Sequence, residues 1–201
     1  MKFSTIISFL ALAAPAFTAP TSDAASSGEV YPMHITLNPP SGESVDLVGT
    51  YEDLIPQIKE VFPDWDPYPN RKREALKPTP TKSENPSLVE RYFKNRPTCG
   101  VVAGYTCFAW AAQNARNNLA NLPAGTMCGG PTGCGRTTCA DGAAIDLCND
   151  RVAPLSIPCT RVHHASGEII IQCQEYFDGE WILKGQWHDT DGYNVIVRRC
   201  Y

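Results

Sequence analysis

The sequence at residues 128–148, CGGPTGCGRTTCADGAAIDLC, places four cysteines within twenty-one residues. Five more bring the total to nine, and all nine lie after residue 98 of a 201-residue chain. Small secreted domains commonly add disulfides because their hydrophobic cores alone are marginal. The count predicts four disulfides and one odd thiol, which is buried, linked to a partner chain or shared with a host protein. The cysteines are Cys99, Cys107, Cys128, Cys134, Cys139, Cys148, Cys159, Cys173 and Cys200.

Two binding functions are alternatives for residues 125–139. A zinc site would use Cys128, Cys134 and Cys139, but the five and four intervening residues differ from the usual Cys-x-x-Cys spacing. The glycines of residues 125–136 superficially resemble a phosphate-binding loop, but no Lys-Ser or Lys-Thr pair follows them. We therefore expect no metal and no cofactor, and a cross-linked turn at residues 125–136.

The chain before the cysteines divides at a run of basic residues. Residues 1–18 combine Lys2, a short apolar run and small residues, which is typical of a secretory signal peptide. Residues 19–70 hold nine acidic residues against one lysine, whereas residues 74–201 hold twelve acidic and twelve basic residues. This change in charge, together with the change in cysteine content, predicts a boundary between two parts of the precursor.

Arg71-Lys72-Arg73 stands at that boundary and resembles a cleavage site for a kexin-type processing protease, with Lys72 and Arg73 as the processing site. It predicts a pro-segment at residues 19–73 and a mature N-terminus at Glu74 or Leu76. The alternative is a solvated charge cluster on a linker. Residues 74–98 are polar and rich in proline, so we expect a flexible N-terminal arm before the mature disulfide-rich domain at residues 99–201.

The pro-segment itself has a pattern that predicts structure. Residues 33–37 and 45–49 place apolar side chains at alternate positions around an Asn-Pro-Pro-Ser-Gly cluster, which predicts a β-hairpin. Thr50 and Asp53 have the spacing of a capping box, and an apolar stripe over residues 54–62 predicts a helix after it. We interpret this small β-β-α unit as a cover for an apolar face of the mature domain while its disulfides form.

The mature domain combines helical and strand patterns. Residues 108–121 and 139–150 have apolar positions at helical spacing. We interpret the asparagine stripe of the first helix as a solvated face; a polar binding face for carbohydrate or the backbone of a partner is the alternative. Residues 168–173, 180–187 and 193–197 have strand patterns, with turns at Asp178-Gly179 and Asp191-Gly192. The sequence therefore predicts an α+β fold, a small disulfide-rich domain of two helices packed on an antiparallel three- to four-stranded sheet.

Catalytic motifs are scarce. His163, Glu168, Arg161 and His188 are the residue types that small secreted fungal ribonucleases use as base, acid and phosphate-binding cation. The ribonuclease motifs themselves are absent, and a net charge of −4 lacks the basic surplus of a nucleic-acid-binding protein. We therefore expect no catalytic residues, no enzyme activity and no nucleic-acid partner. A small ribonuclease-like toxin that uses these four residues is the alternative.

The order of signal peptide, acidic pro-segment, basic run and cysteine-rich domain resembles that of secreted effectors and necrosis-inducing toxins of filamentous fungi. In outline it is also similar to fungal killer toxins. The resemblance implies an extracellular virulence protein that binds a host protein or cell-surface component; an antimicrobial, killer-toxin-like protein is a further alternative. After the signal peptide no apolar run is long enough to span a membrane, so none is expected.

Aromatic residues near the predicted turns are candidates for the contact with that partner, because clustered aromatic side chains are frequent interface anchors. At least half of them are expected to pack the sheet against the helices instead. The candidates are Tyr176, Phe177, Trp181, Trp187 and Tyr193.

Overall fold

The structure is a computed structural model that describes residues 31–40, 42–69 and 96–200. The predicted signal peptide, the processing site at Lys72 and Arg73 and most of the predicted arm lie outside the described residues. Within the described ranges the chain has an α+β fold with three helices: α1 (Tyr51–Val61), α2 (Ala109–Ala120) and α3 (Cys159–Cys173). None of these helices is long and apolar enough to cross a bilayer.

Thirteen strands are formed by the described residues, and they belong to three sheets. The strands are β1 (Tyr31–Pro32), β2 (His34–Leu37), β3 (Val45–Val48), β4 (Thr98–Cys99), β5 (Cys107–Phe108), β6 (Met127–Gly130), β7 (Gly133–Ala140), β8 (Ala143–Asn149), β9 (Leu155–Pro158), β10 (Glu175–Phe177), β11 (Glu180–Leu183), β12 (Gly185–Asp189) and β13 (Tyr193–Arg199).

The main sheet has six strands in the order β1-β7-β8-β13-β12-β4, and all of its pairs are antiparallel except β1 with β7. Val195 of β13 lies opposite both Leu147 of β8 and Trp187 of β12. These three side chains are buried in the core that also contains the apolar faces of α2 and α3. The sheet is larger than the predicted three to four strands because β1, β4, β7 and β8 all join it.

A second sheet connects the beginning of the described chain to the cysteine-rich part. Its order is β3-β2-β6-β9, and β2 places Ile35 opposite Cys128 of β6. The hairpin of β2 and β3 and the helix α1 are the elements predicted from the alternation and the capping box. Thr50 accepts from the backbone N–H of Asp53, and Asp53 accepts from that of Thr50. These predictions are confirmed.

The helix predicted over residues 139–150 is wrong, because this segment forms the end of β7, a tight turn and β8. Asp141 and Gly142 take positive φ values of 52° and 85°, which is the geometry that an Asp-Gly turn favours in a hairpin. Every residue of β8 is buried, so the segment lacks the alternation that identifies a half-buried strand. Residues 125–136, predicted as a cross-linked turn, likewise contribute to strands β6 and β7.

The strand predicted over residues 168–173 is also wrong, because these residues are the last turns of α3. The β-branched run at residues 169–171 favours a strand locally. The longer segment nevertheless buries Val162, Ala165, Ile169 and Cys173 at spacings of three and four residues, and α3 packs against α2 through this face. Packing of the whole helix therefore overrides the local preference of its end.

The asparagine stripe of α2 is only partly solvated. Asn118 donates to the carboxylate of Glu52 and to the hydroxyl of Thr138. Asn121, which caps the C-terminus of α2, donates its side-chain amide to the carbonyl of Pro67, and its backbone carbonyl accepts from the indole of Trp65. Two of the four asparagines therefore hold the segment at residues 42–69 against α2, which the sequence pattern alone did not indicate.

Four disulfides link eight of the cysteines, as the count predicted. The pairs are Cys99–Cys173, Cys128–Cys159, Cys134–Cys148 and Cys139–Cys200. Cys107 is the unpaired cysteine; its side chain is buried, and its thiol lies 3.5 Å from the carbonyl oxygen of Leu183. Of the three alternatives for the odd cysteine, this geometry supports a buried thiol.

The first prediction concerns this thiol. Burial raises the pKa of Cys107 to about 12, so almost no reactive thiolate exists at neutral pH. Native protein should give less than about 0.1 thiol per chain with Ellman's reagent at pH 8, and one per chain after unfolding without reductant. Cys107→Ala should abolish the signal of the unfolded protein. A full equivalent of thiol in the native protein would contradict the buried assignment, as would no thiol after unfolding.

Candidate functional site

A small third sheet, with the order β10-β11-β5, carries four exposed aromatic side chains, Phe108, Tyr176, Phe177 and Trp181. Its hairpin turns at Asp178 and Gly179, where φ is 49° and 87°, so the predicted Asp-Gly turn is confirmed. Beyond the turn, Leu183 of β11 lies opposite the buried Cys107 of β5. One edge of the hairpin is therefore anchored in the core, while the residues of its tip are exposed.

The other end of the hairpin is anchored covalently. β10 begins two residues after Cys173, the last residue of α3, and Cys173 forms a disulfide with Cys99 at the edge of the main sheet. Gly185 follows the hairpin, and its backbone approaches so closely that an added Cβ would lie 2.8 Å from the sulfur of Cys173. The two ends of the hairpin are thus held at one place, which limits the motion of its tip.

Three of the predicted contact residues lie on this hairpin. Phe177, Tyr176 and Trp181 are 66%, 64% and 47% exposed. Tyr176 lies directly opposite Trp181, and their rings meet edge to face with centroids 5.4 Å apart. This cross-strand pair holds both rings in a fixed orientation without removing them from solvent.

Two further aromatic residues, which the sequence interpretation missed, are exposed beside the hairpin. Phe108 lies opposite Ile182 of β11, and its ring stacks on that of Trp110 with an interplanar angle of 12°. Strand alternation puts Phe108 on the sheet face opposite to Trp181, so the aromatic groups cover both faces of the sheet. In the sequence, the signal is two aromatic residues, Phe108 and Trp110, at the start of a predicted helix that is otherwise rich in alanine. We call the five residues Phe108, Trp110, Tyr176, Phe177 and Trp181 the aromatic surface.

The aromatic surface also has an available strand edge and a negative charge. β10 is the outer strand of its sheet, so within the described residues its outer backbone edge has no strand partner. Glu175, Asp178 and Glu180 are all exposed on the hairpin, and residues 174–183 contain no lysine or arginine. An extended segment with apolar and basic side chains would match both properties.

The other two predicted contact residues are not available to a partner. Trp187 and Tyr193 are each 1% exposed, and they pack in the core with ring centroids 6.4 Å apart. The hydroxyl of Tyr193 donates to Asp189, and the guanidinium of Arg161 lies 5.3 Å from the centre of its ring. The structure therefore corrects the prediction for Trp187 and Tyr193, which hold the sheet against α3.

The four residues of the ribonuclease alternative do not converge. Arg161, on α3, donates to the carboxylates of Asp189 and Asp191. His163 and Glu168 lie further along α3. His188 follows the buried Trp187 on β12, so strand alternation directs it to the face of the main sheet opposite the helices. The arrangement does not form a shared site for a base, an acid and a phosphate.

The lowered pKa of His163 disfavours a role as the general acid of a ribonuclease near pH 7. Burial, with the nearby charges of Arg116 and His164, lowers the pKa of His163 to about 3. The guanidinium of Arg116 donates to the backbone carbonyl of His163 at 3.1 Å, which fixes this positive group beside the ring. Burial and Arg116 also lower the pKa of His164, although Glu168 acts in the opposite direction. His163 is therefore neutral near pH 7 and cannot donate a proton there.

Comparisons with known proteins add no assignment: no family model, no curated protein and no solved structure matches the chain. The described residues contain no group of three or more histidine, cysteine, aspartate or glutamate side chains that would hold a metal ion. The exposure and ring contacts of the aromatic surface are therefore the basis for treating it as the candidate site.

The second prediction concerns pH. The unfolded chain protonates His163 near pH 6.5 and the folded chain only near pH 3, so the unfolded state binds more protons between these values. The stability associated with neutral His163 is complete above pH 6.5 and is lost as the pH falls toward 3, by at most about 1.4 kcal/mol per pH unit.

His163→Gln removes this component but leaves the carboxylates, which titrate in both proteins. Urea unfolding of wild type and variant at half-unit steps from pH 7.5 to 4 should therefore give a shallower loss of stability for the variant. Each protein is referenced to its own stability at pH 7.5, so that a general loss of packing does not enter the comparison. Parallel curves would contradict the lowered pKa.

Proposed function

We propose that the protein is a secreted effector or host-directed toxin that acts by binding a host protein or cell-surface component through the aromatic surface. The single observation that supports this proposal is the exposure of Tyr176, Phe177 and Trp181 together on a hairpin with fixed ends. Four disulfides and the absence of a membrane-spanning helix among the described residues are compatible with an extracellular site of action.

Exposed aromatic rings lack the stabilisation that their burial would contribute. Burial of a large apolar side chain contributes about 1.5–3 kcal/mol. Burial of these three exposed rings by a partner would therefore contribute several kcal/mol to the free energy of binding. Single exposed apolar residues are normal on protein surfaces, but adjacent ones, such as the contacting pair Tyr176 and Trp181, commonly mark interaction sites. Aromatic rings of this kind dominate interface energies because they bury a large area with few rotatable bonds.

The geometry suggests how the partner binds. The outer edge of β10 offers backbone N–H and C=O groups to an added strand, which supplies affinity without sequence preference. The aromatic rings and the three carboxylates beside them then select a segment with apolar and basic side chains, since cations also bind favourably over tryptophan and tyrosine rings. In this mechanism the protein binds and does not turn over a substrate.

The third prediction tests the aromatic surface directly. The double variant Tyr176→Ala, Trp181→Ala removes the edge-to-face pair, and we expect it to lose roughly tenfold or more in potency when purified protein is infiltrated into leaves. Val152→Ala is the control, because Val152 is 98% exposed but belongs to the loop between β8 and β9 and not to the hairpin. The control should retain full potency, and equal thermal stability of the three proteins should accompany the result.

Other outcomes separate the alternatives. Full potency of the double variant would refute the aromatic surface as the binding site. Inhibition of competing fungi, with no effect on leaves, would favour the antimicrobial killer-toxin alternative over a host target. RNA degradation that is lost in the variant His163→Ala, His188→Ala would favour the ribonuclease.

A further inference from the structure

The segment at residues 31–69 supplies a large part of the hydrophobic core. Six of its side chains are 1% exposed or less, and they are Met33, Ile35, Leu37, Tyr51, Leu54 and Ile58. Five of these belong to the same contiguous core cluster as Leu119 of α2 and Ile157 of β9. A segment that merely covered a finished domain would bury one face of its own helix. Here β2 and α1 both contribute side chains to a core that the cysteine-rich part does not complete alone.

The backbone of the segment is also part of the sheets. β2 lies between β3 and β6, and β1 pairs in parallel with β7. The backbone of Gly135 in β7 lies so close to Met33 that a Cβ added at Gly135 would be 3.3 Å from the Cα of Met33. Departure of the segment would leave the edges of β6 and β7 without their hydrogen-bond partners, which favours aggregation.

Glu52 connects α1 to three donors in the cysteine-rich part. Its carboxylate accepts from the side-chain amide of Asn118 at 2.9 Å and from the backbone N–H of Cys139 at 3.1 Å. It also accepts from the hydroxyl of Thr138, a fully buried residue. Loss of the segment would therefore remove the acceptor for three donors at one position, and unsatisfied buried polar groups are strongly unfavourable.

A second polar junction lies at the end of α2. The indole N–H of Trp65 donates to the carbonyl of Asn121 at 2.6 Å, and the side-chain amide of Asn121 donates to the carbonyl of Pro67 at 3.2 Å. The hydroxyl of Tyr51 also donates to the carbonyl of Pro67, at 2.6 Å. Residues 65–67 thus satisfy a carbonyl that the end of a helix otherwise leaves without a partner.

No disulfide reinforces these contacts, because residues 19–73 contain no cysteine. The only covalent connection between the segment and the cysteine-rich part runs through residues 70–95, which contain seven lysines and arginines, including Arg71-Lys72-Arg73. We infer that residues 31–69 are a permanent subunit of the secreted protein, which stays bound without a covalent link when the chain is cut between residues 70 and 95. Cleavage then yields a two-chain protein with one shared core.

The fourth prediction tests this inference on the purified full-length protein. Brief treatment with trypsin, without reductant, should cut within residues 70–95 and give two polypeptides under denaturing conditions. Native mass spectrometry and gel filtration of the same sample at micromolar concentration should show one particle with the sum of the two masses. Dissociation of the smaller chain, with unchanged near-ultraviolet circular dichroism of the larger one, would overturn the inference. So would a naturally secreted, fully active protein that lacks residues 31–69.

A matched pair of variants on α1 identifies the contacts responsible. Glu52→Ala removes the shared acceptor, and the cut protein should then dissociate at least about tenfold more readily on dilution. Glu60→Ala changes the same residue type at an exposed position of the same helix and should behave as wild type. Equal dissociation of both variants would contradict the role of Glu52. If the Glu52 variant does not fold, the association of the cut wild-type protein still decides the inference.

This inference is independent of the target. Loss of potency in the aromatic variants, with the two chains still bound, would support the proposed binding site and leave the subunit assignment unaffected. Separation of the chains, with an unchanged response in leaves, would overturn only the subunit assignment.

Discussion

β2 and α1 pack against the cysteine-bridged strands, and this packing completes the hydrophobic core. Ile35 and Leu54, both fully buried, belong to the same core as the inner faces of α2 and α3. That core in turn orients the main sheet, from which the third sheet and its hairpin project. A segment without a single cysteine therefore completes a domain that is otherwise held by disulfides, and the two kinds of stabilisation act on different parts of the chain.

Two of the four disulfides connect elements that are distant along the chain. Cys99–Cys173 and Cys139–Cys200 close loops of 74 and 61 residues, and long loops lose the most unfolded-state entropy when they are closed. Both bridges hold strands at the ends of the cysteine-rich part. The aromatic hairpin follows directly after one of them, so its position relative to the core is set by a covalent bond as well as by its pairing with β5.

Strand alternation separates residues with a structural role from those available to a partner. Trp187 and Tyr193 lie on the inner face of the main sheet, where they contact the helices, while Trp181 lies only six residues before Trp187 but on a different sheet. The break between β11 and β12 at Lys184, whose ammonium donates to the carbonyls of Val102 and Gly104, turns the chain from one sheet to the other. A short change of direction therefore decides which aromatic rings are exposed.

Features that depend on neighbours close in the chain could be predicted from the amino-acid sequence. The odd number of cysteines predicted four bridges and one free thiol, alternation and a capping box predicted the β-β-α unit, and Asp-Gly pairs predicted two turns.

Local patterns failed where long-range packing decides the structure. Residues 143–149 are buried on both sides and so lack alternation, and the strand preference of residues 169–171 yields to the packing of α3 on α2. The disulfide pairing, the burial of Trp187 and Tyr193 and the inclusion of residues 31–69 in one core all required the tertiary structure. Periodicity shows which side chains share a face, but only contacts between distant segments show what covers that face.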